Sequence, residues 1–251
     1  MVTRTRNSLV VDRFARQAKA FADSPLQNDP ARLRRLLAFV DARPGESVLD
    51  IGCGPGIVAA ALRRIGFEAV GVDLTPAMLR EARSAGVTCV RGDVASLPFR
   101  SEAVDVALSR NTFHHLDDPR RVLQEMARTV RHGGRVVIED MEAPADASQR
   151  DYHETVEKLR DPAHAQTLTR AEFRDLAAAA GLASWCDEPI TFVIDVEEWI
   201  ERGFAAARDR RRARAMLEAC LDRDLIGLHV WREAGRLKFE RRSLLMTGHR
   251  P

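Results

Sequence analysis

The sequence runs to 251 residues, with 39 Lys and Arg against 37 Asp and Glu, a formal charge of +2 at pH 7. That length suits one generous domain or a domain with an appended lid, and 45% hydrophobic with 30% charged residues suffices to bury a core. So small a net charge excludes a whole-molecule field that would demand nucleic acid or an anionic membrane as partner.

The chain opens with Val11, Phe14, Ala18 and Phe21 spaced for one face of a short helix. No long apolar run precedes them, so neither a signal peptide nor a membrane span is predicted. Asp29-Pro30 starts a second helix, an N-cap followed by proline at the first helical position, with Leu33, Leu36, Leu37 and Val40 facing inward. Arg43-Pro44-Gly45 stops it. Strand and helix then alternate: a strand over Ser47–Ile51, a helix from Ile57 to Ile65 closed by Gly66, and a strand over Glu68–Asp73. A helix follows from Thr75-Pro76 to Gly86, then strands at Thr88–Val90 and Val104–Ser109. Asp118-Pro119 caps a helix that lays Val122, Leu123, Met126 and Val130 on one face, and Arg135–Glu139 is a fifth strand after His132-Gly133-Gly134. This alternation predicts an α/β fold, a parallel sheet with helices on both faces.

Past residue 141 the pattern loosens. Thr169 and Glu172 form a capping box for a helix ending at Gly181, while Thr191–Ile194 and Arg241–Thr247 read as two further strands. A helical stretch from about 196 to 221 lies between them. It carries Trp199, Ile200, Phe204, Met216 and Leu217 among charges, the pattern of an amphipathic lid or of a dimer face. The cysteines (Cys53, Cys89, Cys186 and Cys220) form no CxxC or CxxH pair, so they read as small hydrophobes of a reducing compartment. No metal site is indicated, and the chain is expected to be cytoplasmic.

The chemistry concentrates where the first strand runs into Asp50-Ile51-Gly52-Cys53-Gly54-Pro55-Gly56. Glycines at such a turn let a ligand approach the backbone, and the next helix offers free N–H groups. A dinucleotide loop reads GxGxxG, but here Ile57 holds the third-glycine position and an acid precedes GxGxG. Asp50 would repel a pyrophosphate and suits an ammonium group instead. Asp73, closing the second strand, can accept from both hydroxyls of a ribose, and Asp93, in Gly92-Asp93-Val94 after the third, from an exocyclic amine. Each has a structural alternative: loop cap for Asp50, helix N-cap side for Asp73, turn former for Asp93. Their recurrence at the ends of successive strands favours a nucleoside site, because open sheets bind ligands there.

The strings VLDIGCGPG, AVGVDLTPAML, RGDVASLPF, VDVALSRNTFHHLDDP and ARTVRHGGRVVIED, in this order across roughly 45–142, resemble class I S-adenosylmethionine-dependent methyltransferases. The subgroup resembled is the one that includes the ubiquinone/menaquinone C-methyltransferases. The resemblance implies a Rossmann-like sheet of seven strands, the last antiparallel, with N-terminal helices and a helical lid insertion. It implies one domain over 1–251: cap helices 1–44, a cofactor core 45–142 and a substrate-side half 143–251. It assigns Asp50, Gly52, Cys53 and Gly54 to the methionine end of S-adenosylmethionine, Asp73 to ribose, and Gly92, Asp93 and Val94 to adenine. Leu74 and Met78 would pack on the adenine ring or simply in the core, and Arg110 and His115 would border the sulfonium. Members often fold an N-terminal helix over the cofactor, which makes Arg13, Phe14, Gln17 and Phe21 candidates. The segment Lys158 to His164 also resembles one found in some members.

Methyl transfer from a sulfonium is an in-line displacement, with S-adenosylhomocysteine as product, and needs alignment, exclusion of water and no metal. Where the acceptor is a hydroxyl, a phenol or an activated carbon, a base helps. His115 is the first candidate, His164 the second and Asp140 the third; each has a packing or capping alternative. The expected acceptor is a small organic molecule of secondary or cofactor metabolism, and the chain a monomer or homodimer. Trp185, Phe192, Trp199 and Trp231 line an apolar acceptor pocket or pack in the core. The rival of a nucleic-acid methyltransferase rests on Arg208 to Arg214, a run that spreads around a helix. Base-amine enzymes carry Asn/Asp-Pro-Pro-Tyr/Phe where this chain has Ser109 to Phe113. An NAD-dependent reductase is disfavoured by Asp50 and Ile57. A binding module, or a non-methylating enzyme using the cofactor, would share the same loop and acids.

Overall fold

A computed structural model describes residues 6–203 and 205–251; Phe204 lies outside the described residues. The strands are β1 (Ser47–Ile51), β2 (Glu68–Asp73), β3 (Thr88–Arg91), β4 (Val104–Arg110), β5 (Val130–Met141), β6 (Ala183–Asp195), β7 (Val230–Glu233) and β8 (Arg236–His249). The helices are α1 (Arg6–Ala22), α2 (Pro30–Val40), α3 (Ile57–Arg64), α4 (Pro76–Ser84), α5 (Pro119–Thr129), α6 (Ala147–Arg160), α7 (Arg170–Ala179), α8 (Val196–Glu201) and α9 (Ala207–Glu218).

The strands form one sheet in the order β3-β2-β1-β4-β5-β8-β6. The first five run parallel, and β8 is antiparallel to both of its neighbours, as expected of a Rossmann-like methyltransferase sheet. Short β7 hairpins onto β8 and adds an eighth strand. The order reverses between β1 and β4, and the polypeptide leaves both strands at the same edge, so a crevice opens there. β1 is buried on both faces, and its alternation splits the core in two. Leu49 and Ile51 face Phe113, Leu123, Met126 and Phe173 on the α5–α7 side. Val48 faces Leu36, Val40, Leu62 and Leu79 on the α2–α4 side.

Helix starts follow the local signals. Asp29 accepts from Ala31 N at 2.7 Å and Asp118 from Arg121 N at 3.0 Å. Both halves of the Thr169–Glu172 capping box form. Such caps are worth about 1 kcal/mol each.

Departures from expectation cluster after residue 141. The long β6 and β8 extend past the core sheet and, with α6, α8 and α9, enclose a third apolar cluster around Val156, Trp199, Leu217 and Phe239. The stretch expected as a lid is therefore the cover of that cluster, with α9 packed on α6 and α8 on α9. Helix α6 escaped notice because the residues it buries are His153, Val156 and Glu157, two of them polar. His132-Gly133-Gly134, expected to precede the fifth strand, lies inside β5, where the register against β4 jumps from Val104↔Val130 to Val106↔Arg135. No helix among the described residues is long and apolar enough to cross a membrane.

Candidate active site

A cavity of about 300 Å³ lies at the C-terminal ends of β1, β2 and β4, beneath α1. It sits at the lower end of the range usual for small-molecule sites. Its walls include Phe14, Asp50, Gly52, Cys53, Gly54, Asp73, Leu74, Met78, Asp93, Val94, Arg110 and His115.

The glycine loop is built to pass close to its neighbours. Gly52 has φ +68°, a left-handed conformation, and a Cβ there would lie 2.4 Å from Thr112 Oγ1. Its N–H and that of Cys53 both donate to Val72 O, at 2.9 and 3.0 Å, which pins the loop to β2. Asp50, 2% exposed, accepts from the N–H of Ala59 in the first turn of α3 at 3.2 Å. Burial pushes its carboxyl up to about 7, against the pull of Ala59 and Arg110. Asp73 accepts from Thr75 N at 2.7 Å and from Gly54 N at 2.9 Å, one bond to each oxygen. Burial raises it as well. Each of its oxygens keeps a lone pair for a ligand hydroxyl. Asp93 takes Ala95 N at 2.9 Å on one oxygen and the Asn7 side-chain amide at 3.0 Å on the other. Asn7 belongs to α1, so the cap helix reaches across to this acid.

At the other end, Arg110 closes β4 with its side chain 5% exposed. His115 follows in a single 3₁₀ turn, Phe113–His115. Its Nδ1 stands 3.1 Å from the carbonyl oxygen of Ala163. A carbonyl only accepts, so Nδ1 carries the hydrogen and Nε2 holds a lone pair. Burial, reinforced by neighbouring His114, holds the imidazole well below the usual histidine range, hence neutral. The ring meets Phe14 edge to face at 5.0 Å.

Four expected site residues stand off the cavity. Asp140 lies behind His114: its Oδ1 is 2.7 Å from His114 Nδ1, and its Oδ2 accepts from Phe113 N at 2.7 Å. Burial raises its carboxyl to about 6. His164, 2% exposed, turns its Nε2 to Glu154 at 3.3 Å and to the Thr167 hydroxyl at 3.4 Å. Gln17 of α1, also 2% exposed, has its Nε2 unpartnered among the described residues. Gly92 backs onto Pro98 and Val72, behind the wall that Asp93 and Val94 form. Ion-paired with Asp161, Arg13 also stays outside the cavity, whereas Phe21 lines it. Trp185, Phe192, Trp199 and Trp231 line no part of it; Trp199 belongs to the third apolar cluster and Trp231 stacks on His229. Residues 196–203 and 205–221 do not border it either.

Sequence reasoning missed Asn7, Val10, Gln27 and Asn111, all of which line the cavity. Three are placed by α1 and the turn after it, through tertiary packing. Asn111 has φ +55°, a left-handed conformation that asparagine accepts more readily than most residues, and its N–H donates to Glu139 O at 2.8 Å.

A methyltransferase domain family model matches residues 49–138. An uncharacterized methyltransferase of Bacillus subtilis, YcgJ, is 31% identical over 206 residues, covering 79% of this chain and 81% of the relative. A malonyl-[acyl-carrier protein] O-methyltransferase of Pseudescherichia vulneris is 31% identical over 185 residues, 72% of each chain. The crystal structure of YcgJ superposes with a TM-score of 0.81 at 27% identity, covering 87% of this chain and 97% of that one.

Proposed function

The chain belongs to the class I S-adenosylmethionine-dependent methyltransferases, and from that premise we propose that its cavity holds S-adenosylmethionine and serves methylation of a small organic acceptor. The observation that carries this reading is a single cavity joining Asp50, Asp73 and Asp93 to the neutral imidazole of His115. The donor set fits the cofactor: an acid near neutrality for the ammonium, an anchored carboxylate for two ribose hydroxyls, and a third acid for the adenine amine. Asn7 already occupies one oxygen of that third acid, so the amine would share Asp93 with α1.

The cofactor supplies an electrophilic methyl group. The chain supplies position and a base. Asn7, Val10, Phe14 and Phe21 of α1 roof the cavity and exclude water. His115 Nε2, the free nitrogen of a fixed tautomer, receives the acceptor's proton. Asp140 and His114 support it indirectly: they fix the 3₁₀ turn that aims His115, and they touch no reacting atom. The relative named as an O-methyltransferase supports an oxygen acceptor as one chemistry within reach of the fold.

Incubation with S-adenosylmethionine labelled in its methyl group and a small-molecule extract tests the reading. Label in a small organic product, with S-adenosylhomocysteine formed in step, is the expected result. Label in nucleic acid or protein would overturn the acceptor class. Tight S-adenosylhomocysteine binding without transfer across a broad acceptor panel would favour a binding module or a non-methylating enzyme.

A further inference from the structure

The cavity wall at Arg110 carries a positive charge that the protein does not fully neutralise. Glu139, 1% exposed, has one oxygen 2.7 Å from Arg32 Nη2 and the other 3.3 Å from Arg110 Nε. One carboxylate thus serves two guanidiniums, that of Arg110 buried and that of Arg32 partly so. Arg110 Nη1 donates to Gln27 O at 3.0 Å, but Nη2 is buried without a partner among the described residues. The other anion acting on Arg110 is Asp50. On the function proposed above, Asp50 faces the cofactor's ammonium, which leaves Arg110 further uncompensated. A buried donor and a buried surplus charge both call for an anionic partner.

Position says whose anion it is. Arg110 donates to Gln27 O, Asn111 Nδ2 stands 3.5 Å from Gln27 Oε1, and all three line the cavity together with the Phe14–His115 ring pair. A guanidinium is a poor neighbour for a sulfonium and for a protonated amine alike. We propose that Arg110 receives an oxyanion of the acceptor (carboxylate, phenolate or enolate), so that the chain methylates an acidic oxygen or carbon acid and not an amine. This rests on the methyltransferase reading of the cavity. Where the acceptor arrives protonated, its proton passes to His115 Nε2 and the electron pair stays on the oxygen that faces Arg110. A histidine held well below its usual range is a weak base, suited to an acceptor that is itself acidic.

The test uses the full chain saturated with S-adenosylhomocysteine and titrated with benzoate, benzamide and benzylamine, three probes of one shape and different charge. Benzoate should bind at least about tenfold more tightly than benzamide, and benzylamine most weakly. Arg110→Gln should bring benzoate down to benzamide while S-adenosylhomocysteine affinity stays within about threefold, and Arg110→Lys should recover part of the preference. Should Arg110→Gln fail to fold, the wild-type series still decides. Equal binding of benzoate and benzamide, or binding of neither, by a protein that holds S-adenosylhomocysteine would overturn the proposal. It is overturned as well if Arg110→Gln weakens S-adenosylhomocysteine about tenfold yet leaves its decarboxylated analogue unaffected, because Arg110 then serves the cofactor's own carboxylate. Failure of the wild type to bind S-adenosylhomocysteine at all would sink the cavity reading itself, and this proposal with it.

Discussion

The backbone N–H of Gly54 donates to Oδ2 of Asp73 at 2.9 Å, tying the glycine loop after β1 to the end of β2. The acid assigned to the ribose thus also holds the loop assigned to the methionine end. Asp73→Ala should remove both effects. Asp73→Asn should be nearly as harmful, because its amide turns an N–H toward Gly54 N or Thr75 N. Charge-assisted hydrogen bonds are worth about 1.5–3 kcal/mol each, so with the two to ribose lost calorimetry should show S-adenosylhomocysteine binding weakened by about a hundredfold or more. Unchanged affinity in either folded variant would remove Asp73 from the site.

Asp50 makes the affinity depend on pH. Its carboxyl is raised from 3.8 to about 7 in the ligand-free protein, and an ammonium needs it ionised. Binding must therefore expel a proton below that point. Affinity for S-adenosylhomocysteine should fall by about tenfold per unit as pH drops below neutrality, and level off above it. The sign for ligand-free stability is opposite. A raised carboxyl pKa stabilises the fold fully below 3.8, and that contribution fades as pH rises toward about 7. Asp50→Asn should bind weakly with a flat pH dependence. A wild-type affinity equally flat between pH 5.5 and 8.5 would show that Asp50 meets no cation.

His115 predicts a different profile for turnover. Its imidazole is neutral because it lies below the usual range, so kcat should show no acid limb at the ordinary histidine position. The pH dependence should reside in KM for the cofactor, where Asp50 acts. His115→Ala should lower kcat by about a hundredfold, the usual scale of a lost general base, with S-adenosylhomocysteine affinity little changed. Turnover at the wild-type rate would take His115 out of the chemistry.

How much of this was legible without coordinates follows from how local each signal is. Asp29-Pro30, Asp118-Pro119 and the Thr169–Glu172 box act within one helical turn, and all three start helices where the spacing predicts. The Asp50, Asp73 and Asp93 series was readable because a parallel sheet brings the ends of successive strands to one edge. Asn7 and Gln27 were not, because only the packing of α1 on α4 brings them there. Nor was the Arg32–Glu139–Arg110 relay, whose members are joined across three elements. His164 shows the converse. A histidine in a family-like segment reads as chemistry, while the fold turns it toward Glu154 and away from the cavity.

That placement makes His164 and Glu154 a matter of stability. Glu154 accepts from Thr167 N at 2.6 Å and stands 3.3 Å from His164 Nε2, joining α6 to the segment before α7. Although burial works to raise its carboxyl, His164 and the Thr167 bonds outweigh it and hold the group at about 2, below the ordinary 4.5. A lowered carboxyl pKa stabilises the fold above 4.5, and that contribution drains away as pH falls toward about 2. Glu154→Gln should therefore cost about 1–2 kcal/mol at pH 7, after allowing for solvent screening of a partly exposed group. The gap to wild type should narrow below pH 4. Urea unfolding at pH 7 and pH 3.5 measures both, and S-adenosylhomocysteine titration of the folded variant should return wild-type affinity. A variant as stable as wild type at pH 7 but slow in turnover would instead put this pair back into the chemistry.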